Sequence, residues 1–217
     1  MNSARYSAGV GAVLQGVFFL LVLAVIFAVL PGLGFQGPND FADPAKVLPF
    51  IVTQPLIAFL LFPGDILFAV FLILTVMGLH EHLQIQSPAL VRMATAAGLI
   101  ATALILANGT IGNSLYQLAR IYAQNRGATE TAFLTLNLVS SNGVGLVSGG
   151  IFAYGWWAVL ISWVALRAGV FPKWLNYLGV LFGVAGIGAI AILPLSFFGP
   201  VVGMVWCLWL GVVLLRG

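Results

Sequence analysis

Long apolar runs, separated by short polar or proline-rich segments, dominate the pattern of this chain. A helix rises ~1.5 Å per residue, so about 20 apolar residues cross the ~30 Å hydrocarbon core of a bilayer. Six runs meet this test, which predicts an all-α, polytopic transmembrane helix bundle that forms a single domain over residues 1–217. The predicted spans are residues 10–30, 50–80, 89–107, 143–167, 174–193 and 197–215.

Two segments between these runs have a different pattern. Residues 31–49 combine prolines, polar turn formers and charges, which predicts an external loop. A polar stretch at residues 108–113 predicts a helix break, and apolar residues then recur at three- and four-residue spacing. This spacing predicts an amphipathic helix over residues 114–126, which either lies at the membrane surface or is a helical extension that stands out of the membrane.

The predicted second span contains an acidic residue and several helix breakers. Pro55 and the Pro63-Gly64 pair interrupt it, and we expect a kink at the latter. Asp65 follows immediately, and an isolated charge at such depth costs at least ~2.5 kcal/mol. Asp65 is therefore either a functional acid, base or cation ligand, or a structural residue that satisfies the amides freed by the break.

Composition identifies the class of protein. Hydrophobic residues make up 62% of the 217, only 6% are charged, and the mean hydropathy is +1.14. Soluble domains carry about 25% charged residues, so we predict a protein of the lipid bilayer. The net charge of +3 comes from scattered basic residues, a pattern that excludes a nucleic-acid-binding patch. Cys207 is the single cysteine, which excludes an intramolecular disulfide.

The distribution of basic residues predicts an orientation. With both termini in the cytoplasm, five basic residues lie inside and three lie outside, as the positive-inside rule prefers. We therefore predict an N-in, C-in topology. The inside set is Arg5, Arg92, Arg167, Lys173 and Arg216, and the outside set is Lys46, Arg120 and Arg126.

His80 and His82 are candidate ligands for a cofactor such as haem or a pigment. Residues two apart on a helix point about 200° apart, so the pair cannot hold one ion without unwinding the helix. We therefore predict no metal site from these residues alone. The alternative is that both histidines form an interfacial cap at the end of the second span, favoured by the helix dipole.

Small and polar residues supply two further features. Asn108, Asn113, Asn137 and Asn142 are candidates for lining a polar cavity, and the alternative is that they form interhelical hydrogen bonds. Glycines spaced four apart allow close helix packing, and we expect them to pack within the bundle; the alternative is a dedicated dimer face. These pairs are Gly145/Gly149, Gly179/Gly183 and Gly199/Gly203.

The segment VFPKWLNYLGVLFGVAGIG, together with the embedded Asp65 and a fourth span that ends at a basic residue, resembles the domain of unknown function 4386 family. The resemblance covers the chain from about residue 50 onward. It implies a six-helix membrane protein of the bacterial inner (cytoplasmic) membrane, and it implies no catalytic residues. Its most specific residues are Pro172, Lys173, Trp174, Leu175, Gly179 and Gly183, with Lys173 in place of the usual Arg and Asn176 where Gly is common.

Three hypotheses for function follow. The scarcity of reactive groups favours a non-catalytic accessory or scaffolding subunit of a larger membrane complex, with lipid or pigment on its apolar flanks. A small membrane enzyme would use Asp65 as acid or base on a lipophilic substrate. A transporter or channel would need a continuous polar path from Asp65 to Asn108 or Asn142.

Overall fold

The computed structural model describes residues 3–36, 40–41, 43–124 and 129–216, and the regular structure within them is helical. The helices are α1 (Ser3–Ala24, continued by a π-helical turn Val25–Val29), α2 (Pro44–Thr53), α3 (Pro55–Leu61), α4 (Asp65–Leu83), α5 (Pro88–Gln124), α6 (Thr129–Ala168), α7 (Lys173–Gly188) and α8 (Leu193–Arg216).

Six of these helices close into a ring. α4 packs on α5, α5 on α6, α6 on α7, α7 on α8, α8 on α1, and α1 returns to α4. The ring encloses one apolar core, whose largest fully buried side chains include Leu72, Leu79, Trp157, Trp206 and Leu210. Lipid supplies no hydrophobic drive between helices, so close packing of these side chains is what holds the ring.

α5 and α6 extend beyond the rest of the ring. They have 37 and 40 residues, or about 55 and 60 Å, roughly twice the hydrocarbon thickness. The end of α7 lies opposite Ile151 of α6, so the part of α6 that precedes Ile151 extends past the end of α7. We call residues 113–124 and 129–142 the projecting hairpin. α2 packs against it and forms a second, smaller core, whose members include Val47, Leu48, Ile51, Leu115, Ala119 and Leu136.

Five helices of the described residues are long and apolar enough to cross a membrane, which confirms a multi-pass membrane protein. They are Ser3–Val29, Asp65–Leu83, Pro88–Gln124, Leu134–Ala168 and Phe198–Arg216. The α2–α3 pair adds a sixth candidate if its two helices form one broken span.

The kinked span predicted over residues 50–80 consists of three separate helices, α2, α3 and α4. α2 and α3 meet at an angle of 116° at Gln54, because the following proline disfavours a helical conformation there. A second break occupies residues 62–64, at the predicted kink, and α4 begins at Asp65.

The predicted loop 31–49 is also too long, because α2 already begins at Pro44. Asp43 caps this helix by accepting a hydrogen bond from the amide of Ala45 at 2.9 Å.

The predicted break at residues 108–113 is also wrong, because α5 runs without interruption from Pro88 to Gln124. Gly109 and Gly112 lie where α5 contacts the break between α3 and α4, so these glycines serve packing and not termination. Of the two predictions for residues 114–126, the structure agrees with a helical extension, since residues 114–124 are the end of α5; residues 125 and 126 lie outside the described part of the chain.

The last two predicted spans also have different bounds. α7 ends at Gly188 instead of residue 193, and its 16 residues are about 24 Å long. α8 begins at Leu193, with Pro194 in its first turn, where the missing amide hydrogen is tolerated. Pro194 therefore starts a helix instead of ending one.

Candidate functional site

The candidate site begins at Asp65, in the first turn of α4. Its carboxylate accepts a hydrogen bond from the side-chain amide of Asn108 on α5, with an Oδ2 to Nδ2 distance of 2.6 Å. The amides of the turn are bonded to backbone carbonyls instead, Ile66 to Pro63 and Leu67 to Gly64, each at 2.9 Å. The structure thus joins two residues that the sequence placed 43 positions apart, and Asp65 does not satisfy the freed amides.

Two glycines of α5 allow this contact. A Cβ atom at Gly109 would lie 2.7 Å from the amide nitrogen of Ile66, and one at Gly112 would lie 2.6 Å from the carbonyl oxygen of Phe62. α5 therefore lies directly against the backbone of the break. This close approach sets Asn108 beside Asp65.

A groove of ≈ 550 Å³ lies between α5 and α6, next to this pair. Asn108 adjoins the groove. It lies about one turn before Ile111, which lines the groove on α5. On α6, its Oδ1 atom is 2.9 Å from the position of a Cβ atom built on Gly143, the neighbour of the lining residue Asn142. The groove is lined by Ile111, Ser114, Leu138, Val139, Asn142, Gly145 and Leu146.

The four asparagines predicted to line a polar cavity do not share one. Asn142 lines the groove, and its amide donates a hydrogen bond to the carbonyl of Leu138 at 2.9 Å. Asn113 is exposed and Asn137 is half-buried, and neither belongs to the lining. The structure therefore brings Asp65, Asn108 and Asn142 to one region of the molecule.

His80 and His82 lie at the opposite end of α4. The Nδ1 atom of His80 is 2.8 Å from the hydroxyl oxygen of Thr95 on α5. The ring of His82 stacks on Phe171, with 6.0 Å between ring centres. The two side chains contact different partners, and the described residues contain no group of three potential metal ligands from His, Cys, Asp and Glu.

A buried polar cluster in the ring was absent from the sequence interpretation. Gln15 of α1 is fully enclosed, and its amide donates to the hydroxyl of Thr75 at 2.6 Å and to the carbonyl of Phe71 at 3.3 Å. Its carbonyl accepts from the hydroxyl of Tyr154 at 2.7 Å, and that hydroxyl lies 3.4 Å from the sulfur of Cys207. Gln15 is the one amide side chain in the predicted span 10–30, and this isolated amide is the feature of the sequence that pointed to the buried cluster.

Aromatic rings surround this cluster. Tyr154 stacks on Trp157 with ring centres 5.4 Å apart, and it makes edge contacts with Phe68 and Phe182 at 5.9 and 5.0 Å. Trp206 packs against both Trp157 and Phe182. The middle of the ring is thus filled with side chains.

Comparison with known proteins identifies a family. Searches of curated proteins and of solved structures return no match. The model of the family described as "Domain of unknown function (DUF4386)" matches residues 14–217, which run from the middle of α1 through α8 and contain the region of the resemblance. The chain therefore belongs to the DUF4386 family of proteins.

Proposed function

We propose that this integral membrane protein is a non-catalytic accessory subunit that associates with a larger membrane protein through its projecting hairpin. The observation that carries the proposal is a pair of exposed leucines on α6. Leu134 and Leu138 are 62% and 67% exposed and stand one helical turn apart. They adjoin the groove between α5 and α6, which Leu138 helps to line.

The depth of these leucines supports a protein partner over lipid. Arg167, at the other end of α6, marks one membrane boundary, and Leu138 precedes it by 29 residues. At ~1.5 Å per residue this is about 44 Å, beyond the ~30 Å hydrocarbon core. An apolar patch that faces water at this distance is typical of an interaction surface.

The shape of the groove indicates the kind of partner. It lies between two long helices, and such a groove accepts the apolar face of a third helix. The partner we propose is therefore a membrane protein with an apolar helix that continues past the bilayer surface.

Site-specific photocrosslinking in native membranes tests this proposal. A photoreactive residue at position 138 is expected to give one discrete adduct with another protein. The same probe at Val184, which is 56% exposed on α7, is the matched control and is expected to react with lipid. An absence of protein adducts at 138, or an adduct with a second copy of this chain, would refute the proposal.

The proposed topology has six crossings, one by each helix of the ring, with both termini in the cytoplasm. Arg5, Arg92, Arg167, Lys173 and Arg216 lie near helix ends at the same end of the ring, as the positive-inside rule expects of a cytoplasmic face. Single cysteines introduced into a Cys207→Ser background test it. A cysteine at position 173 should react with a thiol reagent only from the cytoplasmic side, and one at position 46 only from the opposite side.

One observation favours the enzyme hypothesis as a second candidate. The carboxylate of Asp65 is held by Asn108 beside a groove that opens between two helices, which suits an acid or base acting on a lipophilic substrate. Transport through the ring has less support, because Tyr154, Trp157 and Trp206 fill its middle. A retained lipophilic compound, lost on Asp65→Asn substitution without unfolding, would move the enzyme hypothesis ahead.

A further inference from the structure

A second cavity lies at the basic end of the ring, far from the projecting hairpin. It has a volume of ≈ 230 Å³ and is formed where the turn before α5 meets the end of α6. Its lining consists of Gln86, Ser87, Leu90, Val164, Arg167 and Ala168.

The polar side of this cavity suits an anion. The guanidinium of Arg167 lies 4.9 Å from the centre of the Trp163 ring, and the arginine is exposed. Gln86 and Ser87 add a side-chain amide and a hydroxyl to the lining. Among the residues that the structure describes, no ion pair joins Arg167 to a carboxylate.

The position of the cavity indicates that the anion belongs to a lipid. Trp163 and Trp174 are exposed, the latter by 74%, and tryptophans in such positions are typical of the boundary between membrane and water. Leu90 and Val164 form the apolar side of the cavity, on helices that cross the bilayer. A phospholipid whose phosphate entered the cavity at this height would have its acyl chains beside the exposed faces of α5 and α6.

We propose that this cavity binds the phosphate group of an anionic phospholipid. Arg167 is the principal charged contact, Gln86 and Ser87 donate hydrogen bonds, and Trp163 keeps the guanidinium in place. Basic pockets between transmembrane helices near the cytoplasmic surface are a recurrent way to hold such head groups. This proposal concerns the opposite end of the molecule from the accessory-subunit proposal and does not depend on it.

Native mass spectrometry of the purified full chain tests the proposal, with phosphatidylglycerol and phosphatidylcholine as probes. The wild type is expected to retain more phosphatidylglycerol than phosphatidylcholine at equal lipid concentration. Arg167→Gln should lower phosphatidylglycerol retention about fivefold, the effect of one basic side chain near a membrane surface. Arg167→Lys should retain most of the preference, because it keeps the positive charge.

Arg92→Gln is the matched control, since it removes the same charge at the same end of the molecule from a residue outside the cavity lining. Its phosphatidylglycerol retention should equal that of the wild type. Equal losses in both variants would show a general charge effect and overturn the site, as would equal retention of the two lipids by the wild type. Displacement of the lipid by millimolar inorganic phosphate would assign the site to free phosphate and overturn the lipid assignment.

Discussion

The interior of the ring and the projecting hairpin differ in which side chains they bury: the ring buries a polar side chain, and the hairpin exposes apolar ones. In the ring, Gln15 is 0% exposed and its amide and carbonyl are both hydrogen-bonded. On the hairpin, Leu138 is 67% exposed and lines an open groove. The ring therefore supplies hydrogen-bond partners for Gln15 internally, whereas the hairpin leaves apolar surface uncovered.

This difference shows which region serves stability and which serves association. Hydrogen-bond partners lower the cost of a buried amide such as that of Gln15, because the bilayer core offers no water. An exposed leucine contributes little to folding, and it becomes useful when another protein covers it. Substitutions in the ring should thus change the free energy of unfolding, and substitutions on the hairpin should change binding.

The largest destabilisation is expected from Gly183→Ala. A Cβ atom there would lie 2.5 Å from the carbonyl oxygen of Gly155 and 2.9 Å from the amide nitrogen of Val159, so α6 and α7 would have to separate. We expect a loss of about 2 kcal/mol in unfolding free energy, measured by denaturation in detergent. The control is Gly145→Ala on α6, where no atom lies within 4 Å of the added carbon and a gain of up to about 1 kcal/mol is expected. Similar losses in both variants would contradict close packing as the cause.

Gln15→Leu should have the next largest effect. It removes the hydrogen bonds to Thr75 and Tyr154, and we expect a loss of about 1 kcal/mol. A double-mutant cycle with Tyr154→Phe measures the interaction between the two side chains, which should be about 0.6 kcal/mol. Strictly additive effects would show that the Gln15–Tyr154 hydrogen bond does not stabilise the ring.

Asp65→Asn should have a smaller effect, within about 0.5 kcal/mol of unfolding free energy. The carboxylate is half-buried, and an asparagine oxygen can still accept the hydrogen bond from Asn108. Thermal unfolding monitored by circular dichroism checks this expectation, with Asp65→Leu as the variant that removes the acceptor. A loss of several kcal/mol in Asp65→Asn would place Asp65 among the structural residues of the ring.

Leu138→Ser should have the smallest effect on folding, within about 0.5 kcal/mol, because the side chain is exposed. Its effect should appear in association, as an about tenfold loss of the crosslinked or co-purified partner, the size expected of a contact at an interface centre. Ile121→Ser is the matched control, since Ile121 is 62% exposed on the hairpin and lies outside the groove lining. Equal losses of partner in the two variants would contradict the groove as the docking surface.

Several features were predictable because they depend on neighbouring residues alone. The multi-pass helical class followed from the length of the apolar runs, and the break before Asp65 followed from Pro63-Gly64. Close packing at Gly179 and Gly183 was confirmed, since added Cβ atoms there would meet Ser162 and Gly155. Gly145 and Gly199 have nothing within 4 Å, so the same spacing has no packing role at these two positions.

What the sequence alone determined is therefore the class of protein, the family motif and the positions of most helices, all of which reflect local hydropathy, proline chemistry and short spacing. The tertiary structure decided which helix faces meet. Gln15 and Tyr154 are 139 residues apart, and Asp65 and Asn108 are 43 apart. No local pattern specifies such pairs, because they depend on the order of helices around the ring and on the glycines that let particular backbones touch.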